Sequence, residues 1–106
     1  MIMASTLFSD LTNKSATESV ALIRTRAASP VEVVEAHLRR IEELNPSLNA
    51  IVTIADDALD RARARESDLM GGKDVGPLHG LPVTVKDTID TAGLRTTSGS
   101  RILGSC

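Results

Sequence analysis

The chain has 106 residues and a net charge of −2, with 12 basic against 14 acidic side chains; it is 42% apolar and 25% charged. That balance fits one small globular domain, argues against a disordered chain and leaves no electrostatic footprint for nucleic acid; no run is long and apolar enough for a membrane span. One Phe and no Trp or Tyr mean that any core is built from Leu, Ile, Val and Ala. Such a core is thin, since a chain of this length hides only about two-thirds of its unfolded surface.

Residues 1–14 read as a flexible lead-in. Their start, Met1-Ile2-Met3-Ala4, has neither the basic stretch nor the apolar run of a secretory signal. The lone Cys106 has no intramolecular partner, and together these point to a reducing, cytoplasmic setting. Ser15-Ala16-Thr17-Glu18 has the form of a capping box, and Ala16, Val20, Ile23 and Ala27 follow at the 4-3-4 spacing of one helical stripe. Ser29-Pro30-Val31-Glu32 repeats the start signal with Pro at the first helical position. Val31, Val34, Leu38, Ile41 and Leu44 make the second stripe, and Asn45-Pro46 is expected to end it.

Residues 49–54 have strand composition. A third helix is expected over residues 56–70, with Ala58, Leu59, Ala62 and Leu69 inward, Asp57 paired to Arg61, and its remaining charges on a solvated face. Gly71-Gly72 ends it. A Gly/Pro loop leads to a second strand over residues 81–86, where Val83 and Val85 share one face and Thr84 and Lys86 the other. The fold class is α/β. Two strands make a poor sheet, so their apolar faces await partners beyond those two.

Lys86 closes an apolar, β-branched stretch, and two readings stand for it. It snorkels to solvent at a strand end, or it is buried and acts as a base. Thr96-Thr97-Ser98-Gly99-Ser100 is a hydroxyl-lined turn or an anion contact. Nothing in the spacing sets Ser98 or Ser100 beside Lys86 as a nucleophile. Gly71-Gly72-Lys73-Asp74 lacks the Ser/Thr of a phosphate loop and follows a helix instead of opening one. His37 and His79 have no metal-ligand spacing, and no metal is expected. Asp87 and Asp90 read as a solvated pair rather than an acid–base couple.

Residues 76–102 resemble the amidase signature family. The residues that carry the likeness are Pro77-Leu78-His79-Gly80-Leu81-Pro82, the pair Lys86-Asp87, Asp90-Thr91-Ala92-Gly93 and the run Thr96 to Ser100. Upstream, Ser29-Pro30-Val31-Glu32 and Leu44-Asn45-Pro46-Ser47-Leu48-Asn49-Ala50 are similar to the family's helix start and its helix-to-strand link. The resemblance implies an α/β/α fold around a mixed sheet, of which this chain holds the N-terminal helices and first strands. It implies hydrolysis of a carbon–nitrogen amide bond by a Ser–cis-Ser–Lys triad without metal or organic cofactor, with Lys86 as the lysine.

It also implies that residues 15–106 are the N-terminal part of such a domain and stop before the Gly/Ser-rich segment that carries both serines. Ser98 and Ser100 do not match them, so the chain alone is expected to hydrolyse nothing. Thr88 stands where Asn often follows Lys-Asp. That favours an amidase for a small-molecule amide over the glutamyl-tRNA amidotransferase branch, whose A subunit works with partner subunits and tRNA. A reading from another class is a non-catalytic remnant or partner-binding module that docks its Val83/Val85 and Ile51 edges by strand addition. A homo-oligomer is left open.

Overall fold

The computed structural model describes residues 11–87, 89 and 92. Three helices order the described part of the chain: α1 (Ala16–Arg24), α2 (Pro30–Leu48) and α3 (Ala58–Met70). The first two begin where the sequence signals them. The Ser15 hydroxyl accepts from the Glu18 N–H at 3.1 Å, and the Glu18 carboxylate accepts from the Ser15 N–H at 3.3 Å. Ser29 and Glu32 repeat the exchange at 3.0 and 3.3 Å, with Pro30 opening the helix. Each box satisfies two backbone donors that a helix start leaves orphaned. The same pairing holds the Glu18 carboxyl below the ordinary carboxylate range, with the Ser15 hydroxyl as the first cause.

The helix ends differ from expectation. The α1 stripe was expected to reach Ala27, but α1 closes at Arg24 because Arg26 adopts a left-handed φ of 62°. The Arg26 N–H then donates to the Ile23 carbonyl at 3.1 Å and the Ala27 N–H to the Leu22 carbonyl at 2.9 Å. That is the Schellman arrangement, made here without glycine. Asn45-Pro46 does not end α2 either: the helix runs through Pro46 to Leu48 and is capped by Asn49 at φ 51°. Pro46 lies in the last turn, where the missing N–H removes one helical bond and the chain has little helix left to break. At the end of α3 Gly72 takes φ 74°, and the Lys73 N–H closes on the Asp68 carbonyl at 3.1 Å.

The core is small. Leu11, Ile23, Ala28, Val33 and Ala36 are buried together, with Leu22 and Leu69 packed against them. Leu11 thus belongs to the core although it falls in the segment read as a lead-in. In α1 the inward face is Ser19 and Ile23, while Ala16 and Ala27 are exposed. In α2 it is Pro30, Val33 and Ala36; Val31, Val34, Leu38 and Ile41 are half-buried beside it. The expected stripe was one residue off, because apolar side chains at 31, 33, 34, 36, 38 and 41 make a wide band whose centre depends on the neighbour that covers it. α3 packs on α2. Its Ala62 is buried, Ala58, Leu59 and Leu69 are half-buried, and the Asp57–Arg61 pair forms at 3.1 Å. That pair and its neighbours Asp60–Arg63 and Asp68–Arg65 contribute little stability at the surface.

Neither expected strand is present among the described residues: 49–54 and 81–86 carry no strand, and the described chain is helical. A strand exists only by its ladder. No backbone hydrogen bond among the described residues involves residues 52–54 or 82–85. Burial nonetheless alternates over residues 51–55, with Ile51, Thr53 and Ala55 half-buried and Val52 and Ile54 exposed. That is the period of two that strand composition predicts, without the partner that makes it a sheet.

Candidate functional site

Residues 76–87 lead from the loop after α3 over the start of α2 to Lys86, and four contacts fix the approach. The Arg24 guanidinium donates to the Gly76 carbonyl at 3.3 Å. The His79 Nε2–H donates to the Arg65 carbonyl at 2.7 Å, since a carbonyl only accepts. Arg26 reaches the Leu69 carbonyl at 3.5 Å. Gly80, at φ 81°, lies directly on the Pro30 ring and the Ile23 side chain. These contacts tie the loop to both ends of the helical core. The sequence reading missed Arg24 and Arg26; their place in the last turn of α1 and just past it was the signal that could have found them.

Lys73 is held by the helix it follows: its ammonium pairs with the Asp68 carboxylate at 3.1 Å. The Lys73 hydrogen bond, then the charges of Lys73, Arg65 and His79, hold the Asp68 carboxyl below its ordinary range against the opposing effect of burial. Gly71-Gly72-Lys73-Asp74 therefore ends a helix and cradles no phosphate. Among the described residues there is no cluster of His, Cys, Asp or Glu able to hold a metal ion. His37 donates from Nδ1 to the Val33 carbonyl at 2.7 Å, one turn back in α2. Its ring also lines a shallow depression of about 370 Å³ with Lys14, Ala16, Ser19 and residues 81–84.

Lys86 is exposed at the end of that segment, and its carbonyl accepts from the Ile89 N–H at 3.0 Å. The expectation of a lysine closing a buried strand is corrected: the segment is no strand here and its cation faces water. The depression is built from the residues that lead to Lys86 and not from Lys86 itself. Asp87 is half-buried. Thr88, Asp90, Ser98 and Ser100 lie outside the described residues.

At the other end of α2, Asn45 performs a task that its reading as a helix stop missed. Its side-chain carbonyl accepts from the Ile51 N–H and its amide donates to the Ile51 carbonyl, both at 2.8 Å. One side chain thus occupies both backbone groups of the first residue of the 51–55 segment, as a neighbouring strand does. Asn45→Ala is expected to lower stability by about 1–2 kcal/mol, two neutral hydrogen bonds' worth, and to speed amide exchange at Ile51 selectively. Thermal unfolding and hydrogen exchange check this; unchanged Ile51 protection would refute it.

A family model, Amidase, matches residues 32–105. The chain is 44% identical over 96 residues to the A subunit of glutamyl-tRNA(Gln) amidotransferase from Acidothermus cellulolyticus, covering 90% of this chain and 19% of that protein. It is likewise 44% identical over 93 residues to the corresponding protein of Methylococcus capsulatus, covering 87% of this chain and 19% of the relative. Identity is again 44%, over 80 residues, to indoleacetamide hydrolase of Bradyrhizobium diazoefficiens, covering 74% of this chain and 15% of that enzyme. The chain therefore spans about a fifth or less of the length of these relatives. No solved structure matches it. Identity is the same to both kinds of relative, so the Thr88 argument against the amidotransferase branch does not separate them. Nor does net charge dispose of nucleic acid, because two of these relatives belong to an enzyme named for a tRNA. No helix among the described residues is long and apolar enough to cross a membrane. With the motifs that lead to Lys86 inside the matched span, the chain belongs to the amidase family.

Proposed function

We propose that this chain supplies the lysine-bearing portion of an enzyme that hydrolyses a carbon–nitrogen amide bond, and that Lys86 is its base. The observation that carries this reading is the family match over residues 32–105, which contains the whole approach to Lys86. In the reaction the neutral lysine amine takes the proton of a relay serine. That serine takes the proton of the nucleophilic serine, whose oxygen attacks the amide carbon. The amine leaves with a proton, and water then releases the acid from the acyl-enzyme. No serine of this chain is given a place in that relay, so the chain alone is proposed to be inactive.

The exposure of Lys86 belongs to the same reading. An ammonium in water keeps its proton, and a lysine base works in a dry pocket that disfavours the charged form. The remaining body of the enzyme is what makes such a pocket. The match covers 90% of this chain with the Acidothermus amidotransferase protein, against 74% with the hydrolase, and that favours a second reading as part of an amidotransferase. The two readings share Lys86 and differ in substrate.

The test is a covalent chimera in which residues 15–106 replace the matched segment of the Bradyrhizobium indoleacetamide hydrolase. The chimera is expected to hydrolyse indoleacetamide, and Lys86→Ala to lower kcat by about 10²–10⁴-fold, the usual worth of a positioned general base. An active chimera whose Lys86→Ala variant keeps its turnover sinks the assignment.

A further inference from the structure

Two segments of this chain present bare backbone. Among the described residues no backbone hydrogen bond involves residues 52–54 or 83–85. Both segments are apolar and β-branched, and both are anchored at one end only. Asn45 holds Ile51 through two bonds, and Gly80 on Pro30 holds the start of residues 81–86. Val83 is 73% exposed and Val85 51%, while Thr84 and Lys86, on the other face of an extended chain, are exposed as well. A β-branched run bare on both faces has the composition of a strand that a sheet covers on both sides. The Thr53 hydroxyl is buried and has no hydrogen-bond partner, so the 52–54 segment also lacks a partner for its side chain. Unpaired strand edges of this kind take up a further strand.

We infer that residues 52–54 and 83–85 form a docking edge for strands of a separate amidase-family polypeptide, the complement of the segment this chain matches. The choice of occupant rests on the proposed function and on length. The matched relatives carry four-fifths or more of their chain beyond the segment that aligns here, and that remainder is the body against which the same segment packs in them. A second copy of this chain offers the same two short edges and no covering layer for either face.

The probe is the remainder of the Bradyrhizobium hydrolase, prepared so that it binds its own matched segment in sedimentation. This chain is expected to bind it one to one. Val83→Asp with Val85→Asp is expected to weaken binding by roughly a hundredfold, because both carboxylates are then buried without partners, and to leave helical circular dichroism unchanged, since both side chains are exposed in the free chain. Failure to bind a probe that takes its own segment overturns the inference. So does binding that ignores the double variant, or a homodimer of this chain that the same substitutions dissolve. Binding without Lys86-dependent turnover upholds the docking edge and counts against the catalytic assignment. Turnover in the covalent chimera without binding in trans does the reverse.

Discussion

Ile23→Ala is expected to destabilise the chain by about 3 kcal/mol, within the range found when a buried isoleucine is cut back to alanine. Ile23 is 1% exposed and is among the largest side chains wholly inside. It lies in the cluster with Leu11, Ala28, Val33 and Ala36, two of which are already alanines. Small neighbours cannot swing in to fill the void, so the cavity term is kept in full. A domain of this size has on the order of 5–15 kcal/mol of stability, and a core without aromatics belongs at the low end. The urea midpoint should therefore fall by roughly 1–3 M at the slopes usual for small domains. Ile23→Val, which keeps most of the volume, should cost about 1 kcal/mol, and Val83→Ala, on the surface, less than about 0.5 kcal/mol. If Ile23→Ala and Val83→Ala shift the midpoint equally, the core described above is not what holds the helices together.

What the sequence discloses and what it hides divide along the range of the interactions. The Ser15/Glu18 and Ser29/Glu32 boxes and the Asp57–Arg61 pair join residues three or four apart, so their chemistry is written in the local string. Gly72 at the end of α3 is equally local. Arg26 is not, because a left-handed arginine carries no compositional mark, and the apolar spacing continues past the point where the helix stops. Asn45 misled for a related reason. Its place before Pro46 suggests a stop, while its two bonds to Ile51 depend on where the chain returns. The expected strands fail for the most general reason: alternation is a property of the segment, but a ladder is a property of its neighbour. Of the site, the motif around Lys86 was legible and so was the family it marks. Its exposure was not, since burial is decided by whatever lies over it.

Gly80→Ala is expected to cost about 2 kcal/mol and to do so through the approach to Lys86. Two effects coincide at this position. At φ 81° a Cβ meets its own backbone, a conformation that costs a non-glycine residue about 1 kcal/mol or more. The same Cβ falls 2.9 Å from Cγ and 3.1 Å from Cβ of Pro30, and 3.4 Å from Cδ1 of Ile23. Pro30 is a closed ring at the first position of α2, held by the Ser29 cap, and has no rotamer into which to retreat. Relief must come from the loop, which lifts residues 81–86 off the helices. The consequence differs from that of Ile23→Ala. The helical core stays intact, so far-ultraviolet circular dichroism at low temperature is retained. Hydrogen exchange should quicken at His79 and Leu81, whose N–H groups donate to Gly76 and Leu78 on either side of the glycine. In the covalent chimera the same substitution should lower kcat more than it raises KM, because a displaced lysine misaligns the proton relay while the amide still binds. Gly80→Ala with unchanged exchange at Leu81 and unchanged kcat would show that this close contact does not set the position of Lys86.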